Sequence, residues 1–342
     1  MFYDNLLEKN KIPDFLIRIG IRNLLKQRLK EEGKGNQQAQ QKHLEKLIAE
    51  LKSSPIAVNT SEANEQHYEL PTQFYQYCLG KHLKYSSGFW NSNVKNIDTS
   101  EKDMLELTCF RADLQNDQEV LELGCGWGSL SLYMAAKFEE SNFTVISNSR
   151  TQKIYIDEQA KLRDIKNLNV ITADINDFNI DKKFDRLVSV EMFEHLRNYQ
   201  LLFKKIAAVL KDDAKMFVHV FTHKTFAYKF EVKNESDWMS KFFFTGGIMP
   251  SNNLFSYFND DLVVKNKWVV NGLHYSKTSE AWLKNMDQHK AEIMPIFENT
   301  YGKQKAVKWW VYWRIFYMAC AELWGYKKGE EWMVCHYLFT KK

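Results

Sequence analysis

The sequence predicts an α/β fold built on a doubly wound parallel sheet, and three observations carry that expectation. From residue 119 short apolar or β-branched runs recur: "EVLELG", "FTVISNS", "NVITAD", "FDRLVSVE" and "AKMFVHVFT". Helical patterns separate the first four or follow them ("SLSLYMAAKF", "RTQKIYIDEQAKLRD", "NYQLLFKKIAAVLKD"). A glycine loop joins the first run to its helix. Alternating strand and helix implies a parallel sheet covered on both faces, and right-handed crossovers then fix the layered sandwich.

Before that rhythm starts the chain is helical. Residues 11–30 place Ile17, Ile21, Leu24, Leu25 and Leu29 at helical spacing, with Pro13 suited to a first turn. Arg18, Arg22, Lys26 and Lys30 occupy the other flank. A basic amphipathic helix can pack on its own domain or lie on a membrane surface as a peripheral contact, and packing is the expected outcome. The polar stretch "EEGKGNQQAQQK" (31–42) ends it, and "HLEKLIAELKS" begins another helix. Residues 1–70 therefore read as an N-terminal helical region and 71–342 as one domain. After Thr222 the alternation lapses until about residue 304. A plain loop of that length is unfavourable, so 223–303 is expected to be a structured, lid-like insertion on the substrate side. "DLVVKNKWVV" within it reads as a further strand. An aromatic helix (304–325) and a strand, "EWMVCHYLF", close the chain.

Composition narrows the function. With 342 residues, 44% hydrophobic and 26% charged, the chain is ordinary globular material, and a formal charge of +4 does not call for nucleic acid. No secretory pattern or membrane-length apolar run is visible. The five cysteines (Cys78, Cys109, Cys125, Cys320, Cys335) are scattered without a Cys-x-x-Cys pair. Reduced thiols in the cytoplasm are expected, with no structural zinc.

"VLELGCGWGSLSL" (120–132) runs from strand through Gly124, Gly126 and Gly128 into a helix. Glycines let the backbone turn tightly and admit a ligand close to it. The dinucleotide fingerprint needs its third glycine at Ser129. The tighter loop led by Glu122 resembles motif I of the S-adenosylmethionine-dependent methyltransferases. Many proteins of that type hold the ribose with an acid after the second strand. Here "VISNSRTQK" has none, which leaves Asn148, Ser149 or Gln152. Asp174, after the third strand, can meet the adenine edge or cap a turn.

"EMFEH" follows the fourth strand, at the sheet edge where α/β proteins bind ligands. If a helical turn starts there, Glu191, Glu194 and His195 share one face. One histidine with two glutamates lacks the second histidine of a zinc helix, so no metal is expected. Capping by the acids is the plain alternative. A site for a cation with a base is the chemical one, because carboxylates favour a sulfonium donor or a protonated amine. An imidazole, which titrates at about 6.5 when unperturbed, is the natural proton acceptor.

"YSSGFW", "LELGCGWGSLSLYMA", "SNSRTQK", "VEMFEH" and "FFTGGIMPS" occur in this order in the cyclopropane fatty acid synthase-like methyltransferases. "FTHKTFAY", "GGIMPS", "YFNDD", "NGLHYSKTSEAWL" and "GEEWMVCHYLF" make the chain most similar to the coclaurine N-methyltransferase branch. The resemblance runs from about residue 65 to the end. It implies a Rossmann-like class I methyltransferase sandwich with S-adenosyl-L-methionine as cofactor. It also implies cofactor contacts at Tyr85, Ser86, Gly124 to Gly128, Asn148 to Gln152, Asp174 and Ile175, and a catalytic Glu191, Glu194 and His195. Lipid-acting members hold a bicarbonate base through the residue matching Glu194, helped by a cysteine where this chain has Ser87. The expected acceptor is a small amine, with an unsaturated lipid chain as the alternative; a homodimer is left open. On the substrate side the sequence points to Ser87, Tyr228, Phe244, Trp313, Trp332 and His336. The stripe that contains Trp309, Trp310, Trp313, Phe316, Tyr317, Cys320 and Trp324 suits a core more often than a pocket.

Overall fold

The computed structural model describes residues 6–58, 70–232 and 237–342, so part of the N-terminal region lies outside the described residues. Helix α1 (Asp14–Glu32) starts after Pro13, as its fixed φ favours. Helix α2 (Gln37–Ser53) begins earlier than the expected His43. Asn36 explains this: its side chain accepts from the Ala39 N–H at 2.8 Å and caps the helix.

Ile17, Ile21, Leu25 and Leu29 of α1 pack on an aromatic cluster of the main domain. Its basic flank is engaged as well. Arg18 pairs with Glu280 and Glu322, Arg22 with Glu322, and Arg28 with Glu32 and Asp237. Leu47 and Leu51 of α2 are buried in the same core as the sheet. Removing either side chain to alanine costs about 2–5 kcal/mol by the usual cavity penalty. The two helices thus share the cores of the domain and have none of their own.

Helices α3 (Thr72–Cys78) and α4 (Ile97–Arg111) lead into the alternating part. It runs β1 (Glu119–Leu123), α5 (Ser129–Lys137), β2 (Asn142–Ser147), α6 (Arg150–Leu162), β3 (Leu168–Thr172), β4 (Phe184–Val190), α7 (Tyr199–Val209) and β5 (Leu210–His223). Then come β6 (Tyr228–Lys229), α8 (Trp238–Phe242), β7 (Ile248–Met249), β8 (Leu262–Val270), α9 (Leu273–Gln288), α10 (Lys290–Tyr301), α11 (Ala306–Gly325) and β9 (Trp332–Lys341).

The seven-stranded sheet has the order β3-β2-β1-β4-β5-β9-β8. β1 to β5 pair in parallel, while β9 runs antiparallel to both β5 and β8. The doubly wound sandwich expected from the sequence is what forms. Because β1 pairs with β2 on one side and β4 on the other, the winding reverses there, and the carboxyl ends of β1 and β4 frame the crevice. The strand read at 261–270 is β8, so the substrate-side segment returns one strand to the main sheet. The tryptophans of α11 belong largely to the core: Trp310, Trp313 and Trp324 are buried among aromatic side chains. Among the described residues no helix is long and apolar enough to cross a membrane.

Candidate active site

Two adjoining cavities lie at this switch point. The larger, about 870 Å³ and open to solvent, is lined by Gly124, Gly126, Asn148, Gln152, Asp174, Ile175, Glu191, His195, Thr245 and Gly246 among others. The second, about 590 Å³, shares Gly124, Gly126 and Glu191 and adds Lys84, Tyr85, Ser86, Glu122 and Ser129. The glycine loop is the floor of both. Gly126 has a φ of +52°, and a Cβ there would meet nothing within 4 Å. Gly124 and Gly128 differ: a Cβ would strike Met192 at 2.9 Å or Ile156 at 2.7 Å. Gly126 leaves room for a ligand, whereas its neighbours leave room for packing.

The residues present fit S-adenosylmethionine. Gln152 is buried; its Oε1 accepts from Ser147 Oγ at 2.6 Å, and its Nε2 has no partner among the described residues. That orphaned donor lies in the wall of the larger cavity. Ser129 Oγ is a second buried, unpartnered group, in the wall of the smaller one. Glu122 takes a hydrogen bond from Ser131, and burial pushes its carboxyl up to about 7. A cationic amino group bound here would return it to the ionised range. Asp174 caps a turn, its Oδ1 accepting from the Asn176 N–H at 2.8 Å, and the residue also lines the larger cavity. Ser149 instead caps α6, accepting from the Gln152 N–H at 3.4 Å.

The strap 80–87 forms the far wall and is tied down by Glu101. This buried carboxylate accepts from the N–H groups of Gly80 (2.9 Å), His82 (2.9 Å) and Lys84 (3.3 Å). Burial raises it to about 7. Glu101→Ala is expected to leave these donors unmatched, at about 2–4 kcal/mol of stability, and to weaken cofactor binding through the loosened strap. Thermal denaturation and calorimetric titration check the two effects.

The acid cluster does not form one helical face. Glu191 lies in the left-handed region at φ +47°, and its N–H donates to the His219 carbonyl at 2.8 Å. Such strain in a non-glycine residue is typical of functional sites. A short 3₁₀ turn (Phe193–His195) follows. The turn separates the acids. Glu191 Oε1 accepts from the Ser87 N–H (3.1 Å) and lies 3.2 Å from His219 Nε2, while Oε2 accepts from the Tyr275 hydroxyl at 2.6 Å. Glu194 is 1% exposed, is not part of either cavity wall, and its Oε2 has no partner among the described residues. Burial raises Glu194 well above the carboxylate range, and the charge of Glu191 raises it further. Burial also raises Glu191, opposed by Lys84, Tyr275 and Ser87. Of the two neighbouring carboxyls, Glu191, with its donors, is therefore placed to hold the charge and Glu194, raised further, to hold the proton. The acid bonded to the Ser87 N–H is Glu191.

The remaining substrate-side residues separate. His195 lies in the cavity wall with its ring 4.7 Å from that of half-buried Phe244. Tyr228 accepts from Trp332 Nε1 at 3.0 Å, and both are buried with Trp313 in the aromatic core. His336 lies on β9 behind His219 and touches neither cavity. Lys84, His219 and Tyr275 were not singled out from the sequence. Tyr275 stands inside "NGLHYSK" and Lys84 just before "YSSGFW", but only the fold shows that they meet Glu191.

The family model described as mycolic acid cyclopropane synthetase matches residues 57–328. The chain is 39% identical to an (S)-coclaurine N-methyltransferase from Thalictrum flavum subsp. glaucum, covering 98% of this chain and 94% of that one. A crystal structure of coclaurine N-methyltransferase bound to N-methylheliamine and SAH superimposes with a TM-score of 0.95 at 37% identity, covering 99% of both chains. A mycolic acid cyclopropane synthase complexed with SAH and CTAB gives a TM-score of 0.67 at 19% identity, covering 83% of this chain and 98% of that one, and so shares the fold. The chain belongs to the mycolic acid cyclopropane synthetase family and is an S-adenosylmethionine-dependent methyltransferase similar over its whole length to the coclaurine N-methyltransferases.

Proposed function

We propose that the enzyme methylates the nitrogen of a small aromatic, alkaloid-like amine. The observation that carries the acceptor class is the full-length likeness to coclaurine N-methyltransferase, whose crystal structure holds N-methylheliamine. The local chemistry agrees with it. Glu191 presents a carboxylate at the cavity wall, where a protonated amine and a positively charged methyl donor are both favoured. Ser87 Oγ donates to the Gly88 carbonyl at 3.0 Å, which turns its hydroxyl hydrogen away from a bound anion.

S-Adenosylmethionine supplies an electrophilic methyl group. The protein supplies alignment and proton removal. The glycine loop, Asn148, Gln152, Asp174 and Ile175 hold the cofactor, with Tyr85 and Ser86 on the opposite wall. Glu191 holds the amine by charge, and His195 takes the proton that must leave the nitrogen. Phe244 supports the His195 ring from behind the cavity wall. The rate is expected to rise with pH as base and bound amine deprotonate.

The deciding experiment offers amine and phospholipid in parallel, with methyl-labelled cofactor, in bicarbonate-depleted buffer. Labelled amine is expected. Label in lipid alone, and only when bicarbonate is restored, would replace this reading with a lipid-modifying one. We also infer a cytosolic enzyme, supported by five cysteines that are all free thiols. Fractionation into a membrane or secreted pool would overturn that.

A further inference from the structure

Behind Glu191 a line of buried groups leads out of the site. His336 Nε2 lies 2.9 Å from His219 Nδ1, and Arg111 Nη1 lies 2.8 Å from His336 Nδ1. Both histidines are 0% exposed. Arg111, at the end of α4, is partly exposed, and its guanidinium lies 5.1 Å over the Trp268 ring on β8.

A guanidinium can only donate. His336 Nδ1 must therefore accept, which puts the proton of the neutral ring on Nε2. That N–H donates to His219 Nδ1, so the proton of His219 lies on Nε2, facing Glu191 Oε1 at 3.2 Å. The hydrogen-bond polarity of the whole line is set at its outer end. Protonating His219 would put an N–H at Nδ1 against the N–H of His336, so the line also keeps His219 neutral. Burial acts in the same direction on both rings, with the positive charges of Lys84 and Arg111 adding to it.

We propose that Arg111 and His336 are positioning residues that lock His219 as a neutral Nε2–H donor and thereby keep Glu191 an ionised acceptor during methyl transfer. The proposal rests on Glu191 being the carboxylate of the reaction described above. It assigns His336, expected from the sequence on the substrate side, to a place one ring behind the site. It also excludes His219 as the proton acceptor, since its only lone pair is committed to His336. The groups facing Glu191 are Lys84 on the strap, Glu194, His219 on β5, Tyr275 on α9 and Cys320 on α11. None of the others can replace the polarity set by Arg111.

Reversing the outer end tests this. In Arg111→Glu the carboxylate accepts, so His336 must carry its proton on Nδ1. Both rings then invert, and a lone pair of His219 faces Glu191. Glu191 holds its proton more tightly, and the acid limb of the rate profile moves up by about one pH unit or more, a usual size for losing a donor to a carboxylate. The rate recovers at higher pH. Arg111→Lys, still only a donor, should restore the limb, and so should His336→Gln, which accepts through oxygen and donates through nitrogen. Nitrogen-15 NMR of the imidazoles reads the tautomers independently of turnover. Inverted rings together with the displaced limb in Arg111→Glu alone support the lock. Unchanged ring tautomers, or a loss of rate uniform across pH, would overturn it. An absence of amine methylation by the wild-type enzyme would fail the reaction proposed above, while the NMR would still report the lock.

Discussion

Gly126→Val is expected to reduce S-adenosylmethionine affinity by about 10² or more while the protein stays folded. The reason is the space at that position. A Cβ at Gly126 meets no protein atom within 4 Å, yet the residue lines both cavities. The valine side chain therefore occupies volume that the cofactor needs. An overpacking cost of about 3 kcal/mol corresponds to roughly 10²-fold in affinity. The backbone cost is smaller: a φ of +52° is unfavourable for a branched residue by about 1–3 kcal/mol, within the usual 5–15 kcal/mol of a domain. Calorimetry on the folded variant measures the affinity. Gly128→Val is the contrasting case, since its side chain would run into Ile156 and cost stability instead. Unchanged affinity in Gly126→Val would mean that the cofactor lies elsewhere.

Gly126 was legible because its signal is local: a strand, a glycine and a helix start within a dozen residues specify one turn. The succession of β1 to β5 along the chain was legible from a local signal too, in runs of apolar and β-branched residues. The N-terminal helices were harder. Ile17, Ile21 and Leu29 marked a buried stripe, but nothing in the spacing told Arg18 and Arg22 from membrane-facing arginines. Their partners, Glu280 and Glu322, lie more than 250 residues away in the chain. Distance in sequence also hid Tyr275 and His219, which meet Glu191 from separate elements, and Arg111, which connects to it only through His336 and His219. The reading of "EMFEH" as a helical face failed on one residue. A positive φ at Glu191 is not written in its side chain, and it is imposed by the strand end and the bond to the His219 carbonyl.

The turn at Glu191 has a kinetic consequence, because it leaves Glu191 among the Ser87, His219 and Tyr275 donors and Glu194 buried with an unpartnered oxygen. Glu191→Gln is expected to lower turnover by about 10² or more, on the scale of losing a positioned charge or base. The amide replaces an acceptor oxygen with a donor nitrogen among the Ser87 N–H, the Tyr275 hydroxyl and the His219 ring, so it loses both the charge and a bond. Glu194→Gln should be far milder, within about threefold, because an amide matches the shape of the neutral acid that the buried site enforces. Glu194→Ala differs again: it empties a buried volume and should cost about 2–4 kcal/mol of stability before it costs rate. Single-turnover rates at saturating cofactor, measured beside thermal denaturation, separate the three. If Glu194→Gln proved as damaging as Glu191→Gln, Glu194 would have to ionise during turnover, and the division of roles between the two acids would fall.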